Sequence, residues 1–391
     1  MRILAHVGVL AGEIGARPSD SAGEARAVAY ITEQLGAYGY HVEVTRFAFD
    51  DDTLQPGTVD LDETAIPGLT IAGSAAGRAT GELVHVGLGD AAGFTGRPVR
   101  GKIAVAERST PHLADAIRNA RAGGAAALVV VNPWPGLWGG RFHPPEPLLV
   151  VEVGSAAGDP LRAAARAGRS ATVEAAGSGR REALNVLARR PPAARCELLV
   201  GAHHDTVPAS PGANDNASGT ATVLELARAL AAADAAGPAA ARGGLCFATF
   251  GAEESWWHGS LALARRLQQE GALPRAMVNL DVTGIGGTVE VVGSPAVADA
   301  AVAAAAALGI PVAGPHAAES VNSDHRSFLG LGVPVLLLTS GAFATAHSSA
   351  DVAAGLDPAS LQRVGDLAFA TLARLLEVLP GDEPRGGPPA A

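Results

Sequence analysis

At 391 residues the chain is too long for one ordinary hydrophobic core and reads as about two domains. Its net charge of −10, from 39 acidic against 29 basic residues with no basic cluster, excludes a nucleic-acid surface. No run reaches the roughly 18–20 strongly apolar residues of a transmembrane helix, and a single lysine, Lys102, leaves Schiff-base or P-loop chemistry almost nowhere to reside.

The first residues carry one arginine and no sustained apolar stretch, so as written the chain reads as cytoplasmic, and as secreted if its start is truncated. Residues 21–38 place Ala25, Val28, Ala29, Ile31 and Leu35 on one side, which predicts an amphipathic helix. Residues 41–49 alternate Val42, Val44, Phe47 and Phe49 with polar residues, which predicts a strand.

From 53 to 180 the texture changes to short strands rich in glycine and proline, with strands expected at 101–106 and 126–131 and one clear helix at 112–122. Beyond it, strands are expected at 183–188, 197–200, 245–250, 276–280 and 333–338, alternating with helices at 217–233, 260–269, 296–307 and 358–378. Such alternation predicts an α/β fold with a mixed, mostly parallel sheet and helices on both faces. Residues 381–391 are proline- and glycine-rich and read as a disordered tail. Cys196 and Cys246 each fall inside an apolar run and read as small core residues in preference to a disulfide.

Chemistry concentrates where apolar runs end. The run 196–200 leads into His203, His204, Asp205 and Asp215; the run 245–250 into Glu253 and Glu254; the run 276–280 into Asp281. A single carboxylate after a strand is ordinarily a helix cap or turn residue. Three such placements beside a core cost free energy unless the charges are paired or hold a metal. In an open α/β sheet the crevice beyond the carboxyl ends of the strands is where ligands bind.

Taken in order, His203-x-Asp205, Asn214-Asp215-Asn216, Glu253-Glu254, Asn279-Leu280-Asp281 and Ala346-His347-Ser348-Ser349-Ala350-Asp351 resemble the two-zinc exopeptidase family of bacterial leucyl aminopeptidases, to which glutamate carboxypeptidases and glutaminyl cyclases are related. The middle segment resembles the protease-associated domain, through Gly101-Lys102-Ile103, Arg121-Ala122-Gly123-Gly124-Ala125 and Val129-Val130-Val131-Asn132. The resemblance implies a catalytic domain formed by 1–52 and 181–380, and an inserted, smaller, β-rich α+β domain at 53–180 that acts as a lid or partner surface.

It further implies two divalent ions, zinc first, with manganese or cobalt accepted by the same donors. One would be held by His203 and Asp281, the other by Glu254 and His347, with Asp215 bridging. Asp205 would accept the free ring N–H of His203, and Asp351 would likewise stand behind the ligands. Glu253 would be the general base for the metal-activated water that attacks a peptide substrate.

Two departures stand out. Several members of this family place a tyrosine before the last histidine ligand, where this chain has Ala346; its tyrosines are Tyr30, Tyr38 and Tyr40. His258 or His325 becomes the candidate oxyanion donor, although His325 also fits a structural turn. Trp256 and Trp257 follow the acid pair where glycine and leucine are usual, and with Phe343 they are expected to wall a pocket for apolar side chains or to pack beneath the insert. The expected activity is an aminopeptidase releasing N-terminal apolar residues. The alternatives are a glutaminyl cyclase, a carboxypeptidase, or a non-catalytic binding relative.

Overall fold

The computed structural model of the chain describes residues 2–51, 55–71, 73–109, 113–137, 148–177, 179–190, 195–208, 210–235, 244–341 and 343–378. The tail expected to be disordered lies outside them, as does His112 at the start of the expected insert helix.

One sheet joins β1 (His41–Asp51), β9 (Gly179–Arg189), β10 (Leu198–His203), β11 (Leu245–Phe250), β12 (Ala276–Leu280), β13 (Val289–Gly293), β14 (Val312–Ala317) and β15 (Val335–Thr339), in the order β1-β9-β11-β10-β12-β15-β13-β14. The ladders of β10 with β11, β10 with β12, β12 with β15 and β13 with β14 are parallel; the other three are antiparallel. Every residue of β10, β11 and β12 is buried, as a sheet covered on both faces requires.

Successive side chains leave opposite faces. Leu198, Val200 and Phe247 join one cluster with helices Ala22–Ala37, Ser218–Ala235, Pro295–Leu308 and Pro358–Val378, while Leu199, Phe250 and Met277 join another beneath helices His258–Gln269 and His325–Leu329. At about 1.5–3 kcal/mol per fully buried large apolar side chain, these two clusters dominate the stability of the layered part. Gly201 in β10 is required by close packing, since a Cβ there would lie 2.6 Å from the Phe250 ring.

The other sheet is a closed barrel of β2 (Pro56–Leu61), β3 (Thr64–Thr70), β4 (Gly77–His85), β5 (Ile103–Glu107), β6 (Ala127–Val131), β7 (Leu149–Val153) and β8 (Ser170–Ala175), in the order β2-β3-β7-β6-β5-β4-β8. Val59, Ile103, Val105, Val129 and Val151 fill its interior. β1 and β9 pair antiparallel from His41↔Arg189 to Asp51↔Gly179, so the chain leaves for the barrel and returns at opposed residues of one ribbon.

Most expected elements of the layered part lie within a few residues of those observed, including Ala22–Ala37, capped by the Ser21 hydroxyl accepting the Glu24 N–H. Helices Arg2–Val7 and Gly158–Arg166, and strands β13 and β14, are additional.

The cysteine expectation is corrected. Cys196 and Cys246 form a disulfide, with Cα atoms 5.4 Å apart. Parallel pairing of Leu198 with Leu245 brings the chain just ahead of β10 against the second residue of β11. Disulfides persist in oxidising compartments and are rare where thiols are kept reduced. Among the described residues no helix is long and apolar enough to cross a membrane.

Candidate metal centre

The register of the parallel strands explains why residues far apart in sequence converge. β10, β11 and β12 run side by side, so their carboxyl ends open on one edge of the sheet. His203 ends β10, Glu253 and Glu254 follow β11, and Asp281 follows β12. Asp215 lies in the turn Ala213–Ala217, where the Asp215-Asn216 peptide is cis. His347 sits in the loop after β15 with a left-handed φ of 58°.

Two three-donor groups result. His203, Asp215 and Asp281 form one, and Asp215, Glu254 and His347 the other, with the donor atoms of each within 4.8 Å of one another. Asp215 faces both ways: Oδ1 lies 3.2 Å from His203 Nε2 and Oδ2 lies 3.1 Å from His347 Nε2. Asp281 Oδ1 is 3.3 Å from His203 Nε2, and Glu254 Oε2 is 3.0 Å from His347 Nε2. Glu253 Oε2 stands 3.9 Å from His203 Nε2.

Charge does not balance within this cluster. Asp215, Glu253, Glu254 and Asp281 face two imidazoles in a largely buried pocket. Burial would lower His203, but Glu253 and Asp281 outweigh it and hold the ring well above its ordinary pKa; Glu254 and Asp215 do the same for His347. Burial, reinforced by Asp324 and Asp281, pushes Glu253 well above the glutamate range. Burial also raises Glu254, whose Oε1 is buried without a hydrogen-bond partner. Imidazole and carboxylate donors in two sets sharing one carboxylate fit a pair of divalent cations, which would supply the missing positive charge.

The surroundings fix these donors. Asp351 accepts the Asn214 N–H at 2.8 Å and the Asp215 N–H at 3.0 Å, one on each oxygen. Asn216 donates to the Leu280 carbonyl at 2.9 Å, tying the bridging turn to β12 beside Asp281. Ser323 donates to Asp281 Oδ2 at 2.7 Å.

Asp205 departs in detail from its expected role. His203 Nδ1 lies nearer the Asp205 backbone carbonyl, at 3.2 Å, than the carboxylate, at 3.5 Å. The carboxylate instead accepts the N–H groups of Glu253 and Glu254, at 3.2 and 3.4 Å, and so orients the acid pair. His204 turns away into the core, with Nδ1 3.0 Å from the Thr249 hydroxyl.

His325 is fully buried, with Nε2 3.0 Å from the Ala318 carbonyl. His258 opens its helix half-buried, its ring tilted against Phe49 with centroids 5.0 Å apart. Trp256 and Trp257 both adopt left-handed φ and meet edge to face, with Trp257 half-buried; Trp256 and Phe343 are exposed.

Sequence reasoning missed two groups. Arg17, fully buried, reaches the carbonyls of His204, Pro211 and Gly212 at 2.6, 2.7 and 2.8 Å and so pins the loop between His203 and Asp215. Leu137, from the barrel segment, accepts a hydrogen bond from His347 Nδ1 on its carbonyl at 2.8 Å and donates its N–H to the His347 carbonyl at 3.1 Å. An arginine and a leucine in stretches without metal-ligand spacing carry no signal for either role.

Residues 185–372 match the model of peptidase family M28, and residues 79–161 match the PA domain. An aminopeptidase structure from Aneurinibacillus sp. strain AM-1 is 30% identical, covering 95% of this chain and 93% of that one, with a TM-score of 0.65. The chain belongs to peptidase family M28. A zinc aminopeptidase structure from Bacillus subtilis is 25% identical with a TM-score of 0.78, covering 95% of this chain and 93% of that one. Aminopeptidase YwaD of Bacillus subtilis is 29% identical over 290 residues, which is 71% of this chain and 60% of that protein's length. Both M28 segments that carry the candidate metal donors, β10 to Asp215 and Glu253 to His347, fall inside the family match.

Proposed function

We propose that this M28 member is an aminopeptidase that holds two divalent ions, zinc first, and releases N-terminal apolar residues from peptides. The observation that carries the reading is Asp215, whose two carboxylate oxygens face two histidines in separate three-donor groups. Bound in those groups, divalent ions supply Lewis-acid polarisation of a peptide carbonyl and an acidified water.

The chain's own residues do the rest. Glu253, whose Oε2 stands 3.9 Å from His203 Nε2 at the edge of the donor groups, accepts the proton of the attacking water and delivers it to the leaving amine. The Asp205 carboxylate holds the main chain at Glu253 and Glu254, so base and ligand keep their spacing. The free N-terminal amine of the substrate would be held by the carboxylates around the ion positions. Trp256, Trp257 and Phe343 would wall a pocket for the apolar side chain, and His258, which has solvent access, is the side chain offered as oxyanion donor.

A panel of aminoacyl chromogenic amides, each paired with its N-acetylated form and with a glutaminyl substrate, tests the reading on metal-characterised protein. It predicts cleavage of free-amine apolar substrates only. Cyclisation of the glutaminyl substrate without hydrolysis of the others would replace the aminopeptidase by a glutaminyl cyclase. Fewer than about one equivalent of bound transition metal after zinc loading would remove the enzymatic reading altogether, because both chemistries depend on the ion.

A further inference from the structure

The barrel segment supplies the hydrogen-bond partner behind the histidine of one metal position, while the histidine of the other finds its partner within the catalytic domain. His203 finds the partner for its second ring nitrogen two residues away, at Asp205. His347 finds its partner 210 residues away, at Leu137. The contact is two-pronged, because the Leu137 N–H also donates to the His347 carbonyl at 3.1 Å. Backbone and ring of the same histidine are therefore gripped by one residue of the barrel segment.

That residue is itself held firmly. Asn132 takes its N–H to the Val153 carbonyl at 2.8 Å, and its side-chain amide donates to the Gly136 carbonyl at 2.7 Å and to Glu152 Oε1 at 2.9 Å. Glu152 is fully buried and paired with Arg108. The Ser155 N–H closes on the Trp134 carbonyl at 3.0 Å. Leu137 is 4% exposed and packs with Leu69 of the barrel and Val207 of the loop that links His203 to Asp215. The turn 132–137 is thus a rigid arm between β6 and the metal centre.

We infer that the Asn132–Leu137 arm is a positioning device for the ion held by Asp215, Glu254 and His347, and that the barrel sets the affinity of that position selectively. Accepting the Nδ1–H fixes the tautomer in which Nε2 carries the free lone pair, and the main-chain bond fixes where the ring points. Partners of this kind behind a histidine ligand typically change metal affinity 10- to 100-fold when removed. The inference rests on the two-ion reading of the site and extends it to the insert.

The test is a zinc titration of metal-free full-length protein against a competing chelator, for the natural chain, Asn132→Ala and Leu137→Pro, with thermal melts to identify folded variants. The natural chain should show two binding steps. Asn132→Ala releases the Gly136 carbonyl, and Leu137→Pro removes the N–H that grips His347. In whichever variant is folded, one step should weaken about tenfold or more while the other stays within about twofold, and His347→Ala should remove the same step. Equal weakening of both steps, or of neither, overturns the inference.

Hydrogen exchange supplies a reading that does not depend on counting ions. Coupling between two events is reciprocal, so zinc loading should slow exchange of the Leu137 amide in the natural chain and fail to do so in His347→Ala. Unchanged exchange on loading also overturns the inference. A natural chain with one binding step but a zinc-slowed Leu137 amide would instead overturn the two-ion reading and leave the arm's role standing.

Discussion

Replacing Arg17 by methionine removes the one fully buried arginine among the described residues. Its guanidinium is fully buried and donates to the carbonyls of His204, Pro211 and Gly212 at 2.6–2.8 Å, with longer bonds to Gly15 at 3.2 Å and Leu10 at 3.3 Å. Burial lowers its pKa to about 10, partly offset by Asp205, Asp351, Asp215 and Glu254, so it remains charged at neutral pH. Methionine fills similar space but strips the arginine donor from the His204 and Pro211 carbonyls, at about 1–3 kcal/mol each, while the Gly212 carbonyl keeps the Ala217 N–H. Loss of one partner from a buried charge cluster costs about 3–5 kcal/mol, and we take that as the net figure after relaxation. At ~2–4 °C per kcal/mol for a domain of this size, the first thermal transition should fall by roughly 10 °C. Calorimetry on the zinc-loaded protein measures it. A fall smaller than about 2 °C would show that the arginine is not what anchors the loop between His203 and Asp215.

Glu253→Gln keeps the shape of the site and removes its proton acceptor, so kcat should fall by about 10²–10⁴ while bound metal, measured by elemental analysis, stays unchanged. The double change Cys196→Ala with Cys246→Ala opens a loop of 50 residues, which the chain-entropy account values at about 4 kcal/mol; a denaturant midpoint that does not move would contradict it. His258→Ala should lower kcat about tenfold or more if its imidazole faces the oxyanion. His325→Ala, by contrast, strips a donor from the buried Ala318 carbonyl, so its melting temperature should fall while its kcat stays within about twofold.

The candidate metal donors at the strand ends were legible because parallel strands obey a strong rule. Apolar runs that end in acid or imidazole deliver those groups to one edge, and His203, Glu253, Glu254 and Asp281 converge there as that rule requires. Helix Pro358–Val378 was equally plain, since its apolar spacing runs through about six turns and continues across Gly365. β14 was not, because VAGPHA is mostly exposed and contains a cis Gly314-Pro315 bond, so neither alternation nor an apolar run marks it.

The disulfide, Arg17 and Leu137 share a different difficulty. Each depends on contacts between segments 50 or more residues apart whose proximity is set by strand order, and no local pattern encodes that order. Asp205 sits between the two cases. Its place behind the site could be expected from the family resemblance, but its carboxylate serves the amides of Glu253 and Glu254 because β10 and β11 are neighbours.

The central claim is that the two donor groups joined by Asp215 run peptide-bond hydrolysis from a free N-terminus. The most direct measurement is the release of leucine from a short unblocked peptide by protein stripped with chelator and then reloaded with zinc. The account predicts no release from the stripped protein, restored release after loading, and none from the same peptide when acetylated. Release that persists undiminished in the stripped protein, or a zinc-loaded protein that leaves every free-amine peptide intact, would contradict it.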